Sequence, residues 1–193
     1  MKLYTSSETK LPMRRKAGQD FVNSIDQPSL TLFGTAVPNY YYEALSEKML
    51  NNGFFGRMLV FGSYKKSPYN YNPRSEIPDN IIDTARYWFE MGNGVFGQKF
   101  ANPAQVSHNE GVEELIREFS DKVYKISLEY EEKRNNSALT VWGRAIENVM
   151  KLSLIKACSD DPVAPRIRPD DVSWSIKLVE FLIHNMMHSL ELS

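Results

Sequence analysis

The feature that most constrains this chain is an apolar stripe repeating at helical spacing through its C-terminal half. Val112, Leu115, Ile116, Phe119, Val123, Ile126 and Tyr130 recur at intervals of three, four or seven, the period that lines up side chains on one face of a helix. Val172, Ile176, Val179, Ile183, Met186 and Leu190 do the same near the end of the chain. Helices striped in this way must bury their apolar faces against one another or against a third element. The intervening residues punctuate accordingly. Asn135-Asn136 ends the first helix near Lys133, a further helix is predicted over 138–157, and Ser159-Asp160-Asp161-Pro162 closes it. A Pro-containing loop then runs to Pro169, and Asp170 or Asp171 is expected to cap the last helix.

The N-terminal side follows a different pattern. Residues 1–27 are polar and irregular, with a basic cluster at Lys10, Arg14, Arg15 and Lys16. SLTLFGTA (29–36) is a short apolar run after Pro28, whose length and boundaries predict a buried strand, and FFGRMLVFG (54–62) predicts a second. Between them Asn39 is a good N-cap for a helix through YYYEALSEKML, with Gly53 as its stop. A Tyr-, Asn- and Pro-rich loop spans 64–78. A helix then starts near Asp79 with Ile81, Ile82, Ala85, Trp88 and Phe89 on one face, and 92–108 reads as a loop with a short strand around Val106. The expected fold class is α+β and mostly helical: two or three strands within 1–63, then a helical region over 64–193.

Composition excludes several classes. Hydrophobic residues make up 42% and charged residues 24%, which is ordinary for a globular chain and unlike a disordered one. The formal net charge is −1, so contact with nucleic acid would have to come from a local patch. The single cysteine, Cys158, cannot form an internal disulfide, which suits a reducing compartment. No apolar run approaches the length of a membrane span, and MKLYTSSETK lacks the apolar core of a signal peptide. A cytoplasmic location without a membrane partner is the expectation.

No self-sufficient catalytic motif is present. A P-loop ATPase needs G-x-x-x-x-G-K-[ST], whose amides and lysine cradle phosphate; GSYKKS (62–67) has the wrong spacing, and a Walker B strand is also missing. H-E-x-x-H, C-x-x-C and G-x-S-x-G are absent too. His184 and His188 stand four apart, as two metal ligands on a helix would, but no third ligand is evident, and exposed histidines on a C-terminal helix are the plainer reading.

The segment TLFGTAVPNYYYEALSEKMLNNGFFGRMLVF (31–61) nevertheless resembles one family, the primase-helicase-like P-loop ATPases of phages, plasmids and integrated elements. Its members carry an L-x-G-T-x-x-P strand, a helix containing YEALS and a G-F-x-x-R-[FM] segment. PMRRKAGQ and IDQP upstream look familial, and a weaker resemblance extends to the C-terminus. It implies that Thr35 is a sensor of the γ-phosphate and Arg57 an arginine finger reaching a neighbouring ATP site; minichromosome-maintenance helicases use a similar S-R-F segment. It implies that TVWGRAIENVMKLSLIKA (140–157) and RPDDVSWSIKLVEFLI (168–183) form a helical lid with Arg144 as sensor 2. It also implies DNA contact by Lys10, Arg14, Arg15 and Lys16. The chemistry suits a planar, permanently charged guanidinium stabilising the transferring phosphoryl group.

The family's Walker motifs, with their ATP and Mg, would lie upstream of Met1. The chain is therefore expected not to hydrolyse ATP alone, and to work in a homo-oligomer or with a chain that carries those motifs. Each assignment has a bland counterpart. Arg57 also suits the flank of an edge strand, Thr35 suits any strand, Arg144 has Glu147 within ion-pair reach at i, i+3, and the 10–16 cluster suits a solvated loop. A non-enzymatic helical protein–protein interaction module is the alternative function.

Overall fold

A computed structural model describes residues 10–12, 24–26, 30–37, 40–41, 55–63, 75–92 and 104–191. The chain divides into two units, Met1–Ala44 and Leu45–Ser193.

In the first unit, β1 (Lys10–Pro12) pairs antiparallel with β2 (Ser24–Asp26), with Leu11 opposite Ile25. Residues 30–37 depart from expectation. They belong to no strand and are exposed, Phe33 at 96%. The buried strand predicted over 29–36 is therefore not formed. The physical reason is pairing: an extended segment becomes a strand only when a neighbour takes its N–H and C=O groups, and no described residue does so. Tyr40 and Tyr41 are helical, and the Tyr41 amide donates to the Val37 carbonyl at 2.9 Å; the rest of the helix expected there lies outside the described residues.

The second unit is mostly helical. The apolar run 54–62 gives a 3-10 turn, Phe55–Arg57, rather than a strand, and the described residues after it, 58–63, have no regular structure. Leu59 and Val60 there are half-buried against the core, so burial without a pairing partner explains why an apolar run did not become a strand. Helix α1 (Asp79–Gly92) starts where predicted, although Ile81 and Phe89 on its apolar face stay exposed. The strand expected near Val106 appears as β3 (Ser107–His108), which pairs in parallel with β4 (Arg166–Ile167) in a two-stranded sheet.

Helix α2 (Val112–Glu132) follows its stripe. It is capped by Gly111 at φ 86°, a left-handed conformation that costs other residues strain. A Cβ there would meet only the Pro169 ring, at an ordinary 3.6 Å. Gly111→Ala is therefore expected to lower unfolding free energy by about 1 kcal/mol, through the backbone and not through a clash; urea denaturation of the pair checks this. At its other end, Arg134 adopts φ 53° and the Asn135 amide donates to the Tyr130 carbonyl at 2.9 Å, closing the helix. The Asn135 side chain then accepts from the Ala138 amide at 3.0 Å and starts the next helix.

The single helix predicted over 138–157 is two helices, α3 (Asn136–Trp142) and α4 (Ala145–Asp160). The break falls at Gly143, the weakest helix former in the run. There the Arg144 amide bonds back only three residues, to Val141 at 3.2 Å, which tightens the turn and re-aims the chain.

Helix α5 (Pro169–Glu191) begins at Pro169, earlier than expected. Proline suits the first helical position, and Asp171 lies inside the first turn, not at the N-cap position. Its buried carboxylate reaches back to accept from the Arg168 amide at 2.8 Å, one half of a capping box, and accepts from Lys156 Nζ at 2.9 Å. Arg168 reaches Asp171 at 3.2 Å and also pairs with Asp160. This network joins the end of α4 to the start of α5. The core lies between α2, α3, α4 and α5, built from Phe119, Val123, Val141, Trp142, Val149, Val179, Ile183 and Met186 among others.

Candidate functional site

The residues that the resemblance singles out are distributed over both units. Thr35 lies in the exposed segment 30–37 and Lys10 in β1, both in the first unit. Arg14, Arg15 and Lys16 fall outside the described residues. Arg57 and Arg144 lie in the second unit, and there the structure brings their segments together.

Arg57 ends the 3-10 turn and is half-buried. Gly56 before it is buried against the α3–α4 corner. A Cβ on Gly56 would lie 2.6 Å from the Thr140 carbonyl oxygen and 3.0 Å from Arg144 Cγ. Backbone carbonyls do not yield to such an overlap, so only glycine lets the turn sit this close. Asn148 holds the other side: its Nδ2 donates to the Gly56 carbonyl at 3.0 Å. The turn containing Arg57 is thus docked beside the residue expected to act as sensor 2.

Arg144 stands immediately before α4, and its guanidinium donates to Glu147 at 3.0 Å. This is the i, i+3 pair that the sequence offers as its structural use. Lys151 Nζ meets the same carboxylate at 2.8 Å. Burial pushes the Glu147 carboxyl upward, but hydrogen bonds and charge from Lys151 and Arg144 outweigh it and hold the group below its ordinary value. Arg144 is 37% exposed at its side chain, so a stronger anion has room to compete with Glu147 for it.

The two C-terminal histidines do not form a ligand pair with a third group: among the described residues, no three His, Cys, Asp or Glu side chains are grouped to hold a metal. His184 donates from Nδ1 to the Glu180 carbonyl at 2.7 Å, and its ring meets Trp142 edge-on at 5.7 Å. No described helix is long and apolar enough to cross a membrane.

Sequence reasoning missed Asn148. A signal for it existed: Asn148 adjoins Val149 and follows Ala145 by three, on the face where the helical period calls for an apolar residue. An amide there points to a buried partner. Gly56 stood inside a quoted motif, but its contact with Thr140 depends on tertiary packing alone.

Comparison with protein-family models, curated proteins and solved structures gives no significant match for this chain.

Proposed function

We propose that this chain is the C-terminal part of a mobile-element DNA helicase or primase-helicase of the P-loop ATPase class. In this reading it supplies Arg57 as an arginine finger and α3 to α5 as a helical lid, with Arg144 as sensor 2. ATP and Mg are held by a chain carrying the Walker motifs. Thr35 senses the γ-phosphate from the exposed segment 30–37, whose pairing partners lie in that chain. Lys10, Arg14, Arg15 and Lys16 contact DNA.

The observation that carries the reading is the docking of the Gly56–Arg57 turn against Thr140, Arg144 and Asn148. Two arginines expected to act on bound ATP come from segments almost ninety residues apart, yet their segments touch. The chemistry is electrostatic stabilisation of a transferring phosphoryl group, for which guanidinium is the fitting cation.

The test is ATP turnover by this chain mixed with the polypeptide that carries the Walker motifs. Hydrolysis is expected only in the mixture, and Arg57→Ala should lower kcat by at least about a thousandfold, the usual worth of an arginine finger. Undiminished turnover by that variant overturns the reading.

One observation favours a second reading, a non-enzymatic helical interaction module. Trp174 and Phe181, seven apart on α5, are exposed among the described residues, and apolar side chains repeated along one helix face mark contact surfaces. A mixture that binds but never hydrolyses ATP would turn the balance to this module.

A further inference from the structure

Asn148 is 6% exposed in the interior of α4, flanked by the core residues Ala145 and Val149. A buried amide there destabilises the helix unless its polar atoms are bonded. Its Nδ2 spends that capacity on one carbonyl, that of Gly56, across 92 residues of sequence. The residue that follows this carbonyl is Arg57.

The turn needs such support. Three residues of 3-10 helix contain too few hydrogen bonds to hold themselves, and the described residues after them, 58–63, join no strand ladder. Leu59 and Val60 pack on the core and anchor the chain downstream. Thr140 and Arg144 bound the turn on one side by close contact at Gly56. A steric wall prevents approach but does not prevent retreat. The Asn148 hydrogen bond supplies the attraction, and it starts from the same helix that Arg144 precedes. The two arginine-bearing segments are therefore registered by one helix.

We propose that Asn148 is the positioning residue for Arg57: by binding the Gly56 carbonyl it fixes the turn, and with it the guanidinium, relative to Arg144. The catalytic half of this proposal rests on the finger reading above; the tethering half does not. A guanidinium displaced by an ångström loses most of its use to a developing charge, since misplacement on that scale costs about a hundredfold in rate.

The experiment compares the wild-type chain with Asn148→Leu, which keeps the branched shape and removes the donor, and with Gly56→Ala, which pushes the turn off from the other side. Amide exchange is followed across residues 56–60, with α5 as internal reference, and ATP turnover is measured with the Walker-bearing chain. Asn148→Leu is expected to speed exchange in 56–60 by about tenfold, the worth of one buried hydrogen bond, and to leave α5 unchanged. It should lower kcat by about a hundredfold with KM within about twofold, and add nothing to Arg57→Ala. Gly56→Ala should show the same pattern. Unchanged exchange in both variants overturns the tether. Faster exchange with full turnover, where Arg57→Ala is inactive, overturns the positioning role and leaves the finger standing. Full turnover by Arg57→Ala defeats the finger reading and the catalytic half with it, and exchange then decides the tether alone.

Discussion

Asp171→Ala should lower the unfolding free energy by about 3 kcal/mol, toward the lower end of what breaking a buried ion pair costs. The carboxylate has no exposed surface, and its charged partners are Lys156, near the end of α4, and Arg168, three residues before it at the entry to α5. It also accepts from the Arg168 amide, one of the donors that a helix start leaves without an internal partner. Removing it strands that amide and leaves Asp160 alone to balance two cations. The loss stays at the low end of that range because Lys156 and Arg168 are part-exposed and recover water. Urea denaturation followed by circular dichroism checks the value, and a loss under about 0.5 kcal/mol, the scale of an ordinary surface change, would contradict it.

The same carboxylate fixes a pH dependence. Burial pushes its pKa upward, but hydrogen bonds from Arg168 and Lys156, the Arg168 amide and the Lys156 charge overcome this and carry it from 3.8 down to about 2. The folded value is depressed, so the unfolded chain takes up the proton first. The stabilisation is complete above about pH 4 and disappears as pH falls toward 2, worth roughly 2 kcal/mol across that window. Asp160 is lowered too, first by its hydrogen bond from Lys156, and adds to the same acid limb. Asp171→Asn should remove the larger share of the slope between pH 4 and pH 2 and leave Asp160's share. An identical slope in both proteins would mean that Asp171 is not the group titrating.

How far the sequence reveals this molecule depends on whether an element is defined by its own residues. Helices α1, α2 and α5 were legible because stripe and punctuation lie within each segment. The break at Gly143 was overlooked because the apolar period continues through it, and only the back-bond from Arg144 to Val141 reveals the corner. The two predicted strands failed for a related reason. SLTLFGTA and FFGRMLVFG have strand composition, but a strand is a property of two segments, and no described neighbour completes either one. At the candidate site, Arg57 and Arg144 are singled out by motif-level resemblance alone, whereas Asn148 is not, since its partner is a carbonyl 92 residues away. Asp171 was visible as an acid near a helix start, but its burial and its link to Lys156 belong to the packing of α4 on α5.

Trp142→Ala should be the most damaging single change in the helical unit, at about 4 kcal/mol, within the range measured for emptying a buried aromatic site. Trp142 is 2% exposed, ends α3, and meets the His184 ring of α5 edge-on. It therefore joins the corner at Gly143 to the last helix. Neighbouring side chains cannot close the gap without moving that corner, and the Thr140 carbonyl and Arg144, which seat Gly56, are on the corner itself. Loss of the indole should accordingly loosen the 55–57 turn as well as the core, unlike a truncation at Val179 in the middle of α5. If the alanine variant fails to fold, Trp142→Phe serves: it keeps a ring and should lose only about 1 to 2 kcal/mol. Fluorescence gives a second readout, because Trp142 is buried while Trp174 is exposed and Trp88 half-buried. Trp142→Phe should shift the emission maximum to the red with the fold intact. A folded Trp142→Phe protein with unshifted emission, or a Trp142→Ala protein as stable as wild type, would show that this corner is not anchored on α5 by the indole.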